Sequence, residues 1–355
     1  MNRTTWLASA LLVVSLGCKK EPAPAAAPPP APSMAEAPKP PAAPATGAAL
    51  AKRYQDCWGF FNAKDWANFE TCYAPNIVSD FIDSGAPPAT NWKEIQETHN
   101  LPIATAMPDG KGEVELTLVN GRQALTIALF TGTQTGPLRA PGVEIPPTGK
   151  KVGLQVAHLT EWNEAGTAVV KELYYQDQGT MMAQLGLSPA PARPAGQPWP
   201  TKEIVVASDA VAEQKSIDVV TQAVDLFNKH DAKAMGALLA ADLVWSEIGV
   251  PVDWNHDQAI AAHEDLFHGF SDLHIAAEST WAAGPWVVQH GIFSGTNDGD
   301  VAAMGLKKTG KKLSMGFLQL WKVNPEGKIS GSWGFWNSAA FAMQLGLVPP
   351  PPATK

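Results

Sequence analysis

No basic stripe runs through this sequence. The formal charge is −8, and the only paired lysines are Lys19-Lys20, Lys150-Lys151 and the Lys307-Lys308/Lys311-Lys312 stretch, which argues against nucleic acid as a partner. Absent as well, at any strand-to-helix turn, are Gly-x-Gly-x-x-Gly, Gly-x-x-x-x-Gly-Lys-Ser/Thr and Gly-x-Ser-x-Gly. Nucleotide cofactors and the serine-hydrolase layout therefore drop out, and no cofactor is expected. Long apolar runs are missing too. The run from Trp6 to Leu16 follows Arg3, ends at Gly17-Cys18 and is too short to span a bilayer. It reads as an export signal with a loose lipobox, Ser15-Leu16-Gly17-Cys18; an ordinary signal peptide cleaved elsewhere is the alternative. Lipid attachment at Cys18 is expected, placing the chain in the cell envelope with a lipid anchor as its only membrane contact.

What is present suits a globular protein on a tether. Hydrophobic content is 45%, and 31 Pro and 30 Gly fall in patches, which suggests linkers rather than a collagen-like or disordered chain. Lys19 to Thr46 is rich in Pro and Ala. About 26 residues of polyproline II, at about 3.1 Å each, would hold the folded part up to roughly 80 Å from the membrane.

An internal repeat organises the remainder. Phe61-Asn62-Ala63-Lys64-Asp65 matches Phe227-Asn228-Lys229-His230-Asp231, and Phe130-Thr131-Gly132-Thr133 matches Phe293-Ser294-Gly295-Thr296. Thr148-Gly149-Lys150-Lys151 matches Thr309-Gly310-Lys311-Lys312, and Met182-Ala183-Gln184-Leu185-Gly186-Leu187 matches Ala342-Met343-Gln344-Leu345-Gly346-Leu347. The matches are collinear, so the two copies share a fold. The expected organisation is a signal peptide at 1–18, a tether at 19–46, a first domain at 47–187, a linker at 188–208, a second domain at 209–347 and a tail at 348–355. Ser188 to Thr201 holds Pro189, Pro191, Pro194 and Pro200 and little that is periodic.

Within each copy the apolar period changes. Tyr54, Cys57, Trp58 and Phe61, like Val220, Val224 and Phe227, recur at helical spacing. Asp65 and Asp231 stand where a second helix would be capped, and a third helix follows Thr90 and Asp253. Alternating runs come after, 124–133 and 152–161 in the first copy and 286–296 and 313–323 in the second. The pattern predicts an α+β class: two tandem cone-shaped domains, each a curved antiparallel sheet wrapped on about three helices. Cys57 and Cys72 fall on the apolar faces of consecutive helices, where a disulfide and two buried free thiols both remain open.

The ordered elements Met107-Pro108-Asp109, Gly132-Thr133-Gln134-Thr135-Gly136, Pro146-Pro147-Thr148-Gly149-Lys150 and Asp177 ahead of Gln184-Leu185-Gly186 resemble the SnoaL-like polyketide and ester cyclase family, within the nuclear transport factor 2-like superfamily. The second copy keeps Ser271-Asp272, Gly295-Thr296, Thr309-Gly310-Lys311 and Gln344-Leu345-Gly346. The resemblance implies cofactor-free ring closure with an acid at the position of Asp177 as general acid/base, for which burial of a carboxyl in an apolar cone is suited. A strand-end cap or an ion pair is the plain alternative for Asp177. Alternation puts Lys171, Leu173, Tyr175 and Asp177 on one face, unless the register slips to favour Glu172. The matching face of the second copy carries Gly331, Trp333, Phe335 and Asn337, and an amide cannot exchange protons near neutral pH.

Two functions follow. One is an exported binder holding, in both cones or in the cleft between them, a small apolar molecule or a partner protein, with Leu173, Tyr175, Trp333, Phe335 and Asn337 at the ligand and at least the second domain non-catalytic. The other is a cyclase or isomerase acting on a carbonyl substrate through Asp177. Trp245, Trp254, Trp281, Trp286, Trp333 and Trp336 can line a pocket or fill the core. Six of eight histidines lie in the second copy, but His263 and His268, and His256 and His263, are not spaced to share one ion, so no metal is expected.

Overall fold

The computed structural model describes residues 47–140 and 143–348; Cys18, the export signal and the tether lie outside the described residues. Helix α1 (Gly47–Ala63) buries Leu50, Ala51, Tyr54, Cys57 and Phe61, one stripe at helical spacing. Lys64 then takes a positive φ of 58°, and the Asp65 side chain accepts the Asn68 N–H to cap α2 (Trp66–Glu70). The second copy repeats the device: α6 (Ala210–Asn228), His230 at φ 56°, and Asp231 capping α7 (Ala232–Gly236). The repeated Asn-x-x-Asp is a turn and a helix cap. A disulfide joins Cys57 to Cys72, with Cα atoms 6.1 Å apart.

In the first copy β1 (Tyr73–Phe81), α3 (Trp92–Ile95), a π-helical turn (Gln96–Asn100) and α4 (Leu101–Ala106) precede the long strands. These are β2 (Lys111–Asn120), β3 (Gln123–Thr133), the short pair β4 (Leu138–Ala140) and β5 (Val143–Ile145), β6 (Lys151–Trp162) and β7 (Val169–Gln176); helix α5 (Gln178–Gln184) closes the copy. Strand β8 (Glu203–Val206) lies in the segment expected as a linker. The second copy runs β9 (Leu239–Glu247), α8 (His256–Gly269), β10 (His274–Ala283), β11 (Trp286–Thr296), β12 (Lys312–Val323), β13 (Ile329–Phe335) and α9 (Ser338–Gln344). The sheet orders are β1-β7-β6-β3-β2-β8 and β10-β11-β12-β13-β9. Read from opposite ends they are one topology, except that β8 adds an edge strand to the first sheet. Among the described residues no helix is long and apolar enough to cross a membrane.

The repeated motifs hold this architecture together. Gln184 receives the Gly153 N–H (2.9 Å) and donates to the Gly153 carbonyl (3.0 Å), and Gln344 does the same at Ser314 (2.8 and 3.0 Å). Leu185 and Leu345 are buried, and Gly186 and Gly346 take φ of 72° and 71° to end the helix. Gln-Leu-Gly is therefore a latch from the closing helix to the sheet. Asp109 likewise accepts the Thr133 N–H (2.7 Å), pinning the turn before β2 to the end of β3.

Each sheet curls over its own helices and is buried on its other face as well. Leu116, Leu118, Leu125, Ile127, Ala157 and Leu159 of the first sheet form one apolar cluster with Trp281, Trp286, Val288, Leu318 and Leu320 of the second. The copies thus stack back to back, with each buried aliphatic side chain contributing about 1.5–3 kcal/mol. Residues expected as a free linker belong to this assembly. Trp199 lies in the cluster, and β8 pairs in parallel with β2 from Leu116–Glu203 to Val119–Val206.

Candidate functional site

The closing strand β7 decides which side chains enter the first cone. Tyr174 packs with the helices of the first core, whereas Leu173 and Tyr175 belong to the cluster between the sheets. Glu172, Tyr174 and Gln176 therefore face the cone, and the face carrying Leu173, Tyr175 and Asp177 faces the other copy. Of the two places expected for a ligand, the cones and the cleft between them, Leu173 and Tyr175 stand at the cleft. Trp333 and Phe335 also lie on the back face, against Trp199 at ring distances of 5.0 and 6.4 Å. Asp177 caps α5: it is fully buried and accepts from Gly179 N (3.1 Å), Thr180 N (3.0 Å) and Thr180 Oγ1 (2.6 Å). It also accepts from Ser338 N (2.8 Å) and Ser338 Oγ (2.7 Å) of the second copy. With five donors on two oxygens, it is a joint between the copies and has no geometry for general acid/base work. Asn337 is its counterpart, capping α9 through Ala339 and Ala340 and donating to the Asp83 carbonyl (3.1 Å).

The acid inside the first cone is Glu172. Its carboxylate accepts from Ser79 Oγ (2.8 Å) on β1 and pairs with His158 Nδ1 (2.8 Å) on β6. Burial pushes this carboxyl up, but the hydrogen bond and charge of His158 and the Ser79 bond outweigh it, leaving it below the usual carboxylate range. An ionised carboxylate only accepts, so Nδ1 of His158 must carry the proton, and Nε2 faces away from Glu172. Nε2 is buried and has no hydrogen-bond partner among the described residues. The same holds for Nε2 of His99, on the π-helical turn, and for Thr117 and Thr126 Oγ1 on the concave side of the sheet. Thr117, Thr126, His158, Tyr174 and Phe81 stand directly opposite one another across five adjacent strands. A polar row thus crosses an aromatic interior.

That interior is built by α1, β1 and the third-helix region. Trp58 and Tyr174 lie 5.2 and 4.5 Å from the His158 ring, and Phe81 4.4 Å from His99. Burial, followed by the charge of Glu172, holds the hydroxyls of Tyr54, Tyr73 and Tyr174 well above the ordinary phenol range, so they remain donors. Burial pushes His99 down to about 4, which keeps it neutral at physiological pH. The His158 side chain retains 14% exposure against 5% for Glu172, so the imidazole is the more accessible member of the pair. π-Helical turns recur at functional sites because the extra residue re-aims a side chain. Here the cap-to-turn spacing is one residue longer, Asn91 to Asp109, than in the second copy, Asn255 to Asp272, where the helix is plain.

The second cone places different chemistry on the same frame. Opposite Gln289 stand Gln319, Gly334 and Glu247, in the row where the first cone has Thr126, His158, Tyr174 and Phe81. Ser332 replaces Glu172 and accepts from Gln319 Nε2 (2.8 Å). The carboxylate has moved to β9: Glu247 accepts from Trp245 Nε1 (2.7 Å) and Trp336 Nε1 (2.8 Å). A Cβ on Gly334 would stand 1.9 Å from the Glu247 carboxylate, so the glycine makes its room. Of the tryptophans expected at a pocket, Trp245 fills this core, while Trp281, Trp286 and Trp333 lie between the sheets. His263 is buried against Trp245 and Phe227. Among the described residues no three His, Cys, Asp or Glu side chains gather within reach of one metal ion.

A family model described as SnoaL-like polyketide cyclase matches residues 48–185 and again residues 217–345. No curated protein matches the chain significantly. Among solved structures, a SnoaL-like protein from Jannaschia sp. CCS1 is 18% identical, covering 40% of this chain and 99% of its own, with a TM-score of 0.36. TsrD from Streptomyces laurentii is 18% identical over 40% of this chain and 99% of its own, TM-score 0.33. A nuclear transport factor 2-like protein from Burkholderia thailandensis E264 is 21% identical over 37% of this chain and 96% of its own, TM-score 0.32.

Proposed function

The chain belongs to the SnoaL-like polyketide cyclase family, and from that premise we propose that its first cone binds a small, largely apolar carbonyl compound and moves a proton on it. The second cone is a non-catalytic partner. The observation that carries this reading is the Glu172–His158 pair, with Nε2 of His158 buried and unpartnered beside aromatic walls. Leaving a buried polar atom without a partner costs about 1–3 kcal/mol, so its retention favours a role toward a ligand. In the proposed step Nε2 takes a proton from the carbon next to the carbonyl. Glu172 holds the imidazole orientation and balances the imidazolium charge, and the buried Tyr54 hydroxyl donates to the enolate oxygen, the Tyr174 hydroxyl being engaged by Gln176 Oε1 (2.8 Å). The proton then returns to carbon or oxygen from Nε2. The second cone lacks this step because Gln319 and Ser332 stand at the matching positions.

The test uses 1-tetralone, a small aromatic ketone, in D2O with the full chain. Deuterium entering its α-position should depend on protein and fall about 100-fold or more in His158→Gln. Binding of the ketone with no protein-dependent exchange would leave a holding role only. We propose also that the chain is exported and lipid-anchored at Cys18; the Cys57–Cys72 disulfide supports an oxidising compartment. Cys18→Ser should move the protein from the membrane fraction to the soluble one.

A further inference from the structure

Two grooves lie between the copies, at equivalent places on the back-to-back sheets, and they are filled differently. In the first, a space of about 280 Å³ remains beside Trp199, which packs on Trp333. The Trp199 backbone N–H donates to Glu115 (3.0 Å), and Gln155 Nε2 donates to the Gln197 carbonyl (2.9 Å). From there the chain becomes β8 and pairs along the edge of β2. The segment Gln197–Val206 therefore docks in two steps, an aromatic ring flanked by prolines and then an added strand.

The second groove, about 290 Å³, is the counterpart without an occupant among the described residues. Val78, Asp80 and Ile82 stand where the first has Val244, Ser246 and Ile248, and Leu173 and Tyr175 where it has Trp333 and Phe335. Glu278 stands where the first copy has Glu115, in the equivalent strand. That strand, β10, is the edge of its sheet; the counterparts of the residues that β8 pairs are Ser279–Ala282, of which Ser279 and Thr280 are half-buried and the Ala282 carbonyl accepts from Asn120 Nδ2 (2.9 Å). We infer that β10 and this groove dock an extended peptide of another protein that inserts a proline-flanked aromatic side chain and then adds a strand to β10. The chemistry of recognition is legible in the substitutions. Leu173 in place of Trp333 leaves room for an indole, and Glu278 can accept a backbone N–H as Glu115 does. Asp80 in place of Ser246 is balanced within the groove by Lys171. Strand addition supplies affinity through main-chain bonds, and the groove supplies selectivity.

The probe is a fluorescein-labelled peptide of residues 196–207, titrated into the full chain and followed by anisotropy. Saturable 1:1 binding is expected, weakened at least about fivefold by replacing the peptide tryptophan with alanine and by Glu278→Lys in the protein. The Glu278 side chain is 58% exposed, so the charge reversal should leave the fold intact, which circular dichroism checks. Amide exchange should slow at Ser279–Ala282, the counterparts of the residues that β8 pairs, when the peptide is present. No binding up to about 1 mM overturns the inference, and so does binding that ignores Glu278→Lys or that protects β2 in place of β10.

Discussion

In the first cone one cross-strand row reads Thr126, His158, Tyr174, Phe81; in the second the same row reads Gln289, Gln319, Gly334, Glu247. Each cone keeps one carboxylate on its concave side, but on different strands and in different company. Glu172 is paired with a histidine whose far nitrogen has no partner, whereas Glu247 is held by two indole N–H groups and an amide. Capping turns, the Gln-Leu-Gly latch and strand order are shared. The scaffold is thus conserved within one chain while the proton-handling pair is present once, and function on this fold is set by the partner set of the acid more than by its position.

The sharpest way to break the comparison is at the joint between the copies. Asp177→Ala removes a buried carboxylate with five donors, some of them in the second copy, and should cost about 4 kcal/mol in chemical unfolding of the whole chain. Asn337→Ala, the counterpart cap, should cost about 1–2 kcal/mol. Equal losses would remove the distinction between the two caps. Next in size is the disulfide, which only the first copy has, since Ala223 and Leu238 stand at the matching positions. Cys57→Ala with Cys72→Ala should cost about 3 kcal/mol for a loop of this length, with faster amide exchange in α1 and α2 and none added in α6 and α7.

A further effect is shared by the two copies. Burial pushes both His99 and His263 down to about 4 from an ordinary 6.5, so below pH 6.5 the unfolded chain binds more protons than the folded one. The stability each neutral ring contributes is whole above pH 6.5 and is lost as pH falls toward 4, reaching about 2 kcal/mol each by pH 5. The depressed carboxyl of Glu172 acts in a lower window. Its contribution is present above the ordinary carboxylate pKa and disappears as pH falls through its own lower value. His99→Gln and His263→Gln should each remove a comparable part of the slope between pH 6.5 and 5, the remainder including His290, which burial also pushes down, read from unfolding midpoints in a pH series; an unchanged slope would mean that neither ring is held neutral.

The repeat, the three-helix start and the antiparallel strands were legible because they rest on local chemistry: Asp65 and Asp231 cap helices, and Gly186 and Gly346 end them. The site was not, and the reason is physical. A strand with one solvated face betrays its core face by alternation, but β7 is covered on one side by the cone and on the other by the second copy, so Tyr174 and Tyr175 are equally at home. Leu173, Tyr175, Trp333 and Phe335, expected at a ligand in a cone or in the cleft, stand in the cleft between the sheets. Asp177 carries both an acid/base and a cap reading in the sequence, and the structure places it as the cap, directly before Gln178–Gln184. The available signal was Glu172 itself, a carboxylate on a strand otherwise rich in aromatics, with His158 two strand positions away only after pairing. Trp199 and β8 were missed because prolines on either side of the tryptophan read as linker.

The most direct test of the asymmetry is a long-range 15N–1H NMR spectrum of the full chain labelled with 15N-histidine, recorded before and after addition of 1-tetralone. His158 should carry its proton on Nδ1, and the ketone should shift its Nε2 resonance while His263 stays in place. A His158 ring protonated on Nε2 alone, or a His263 resonance that moves as far as that of His158, would contradict it.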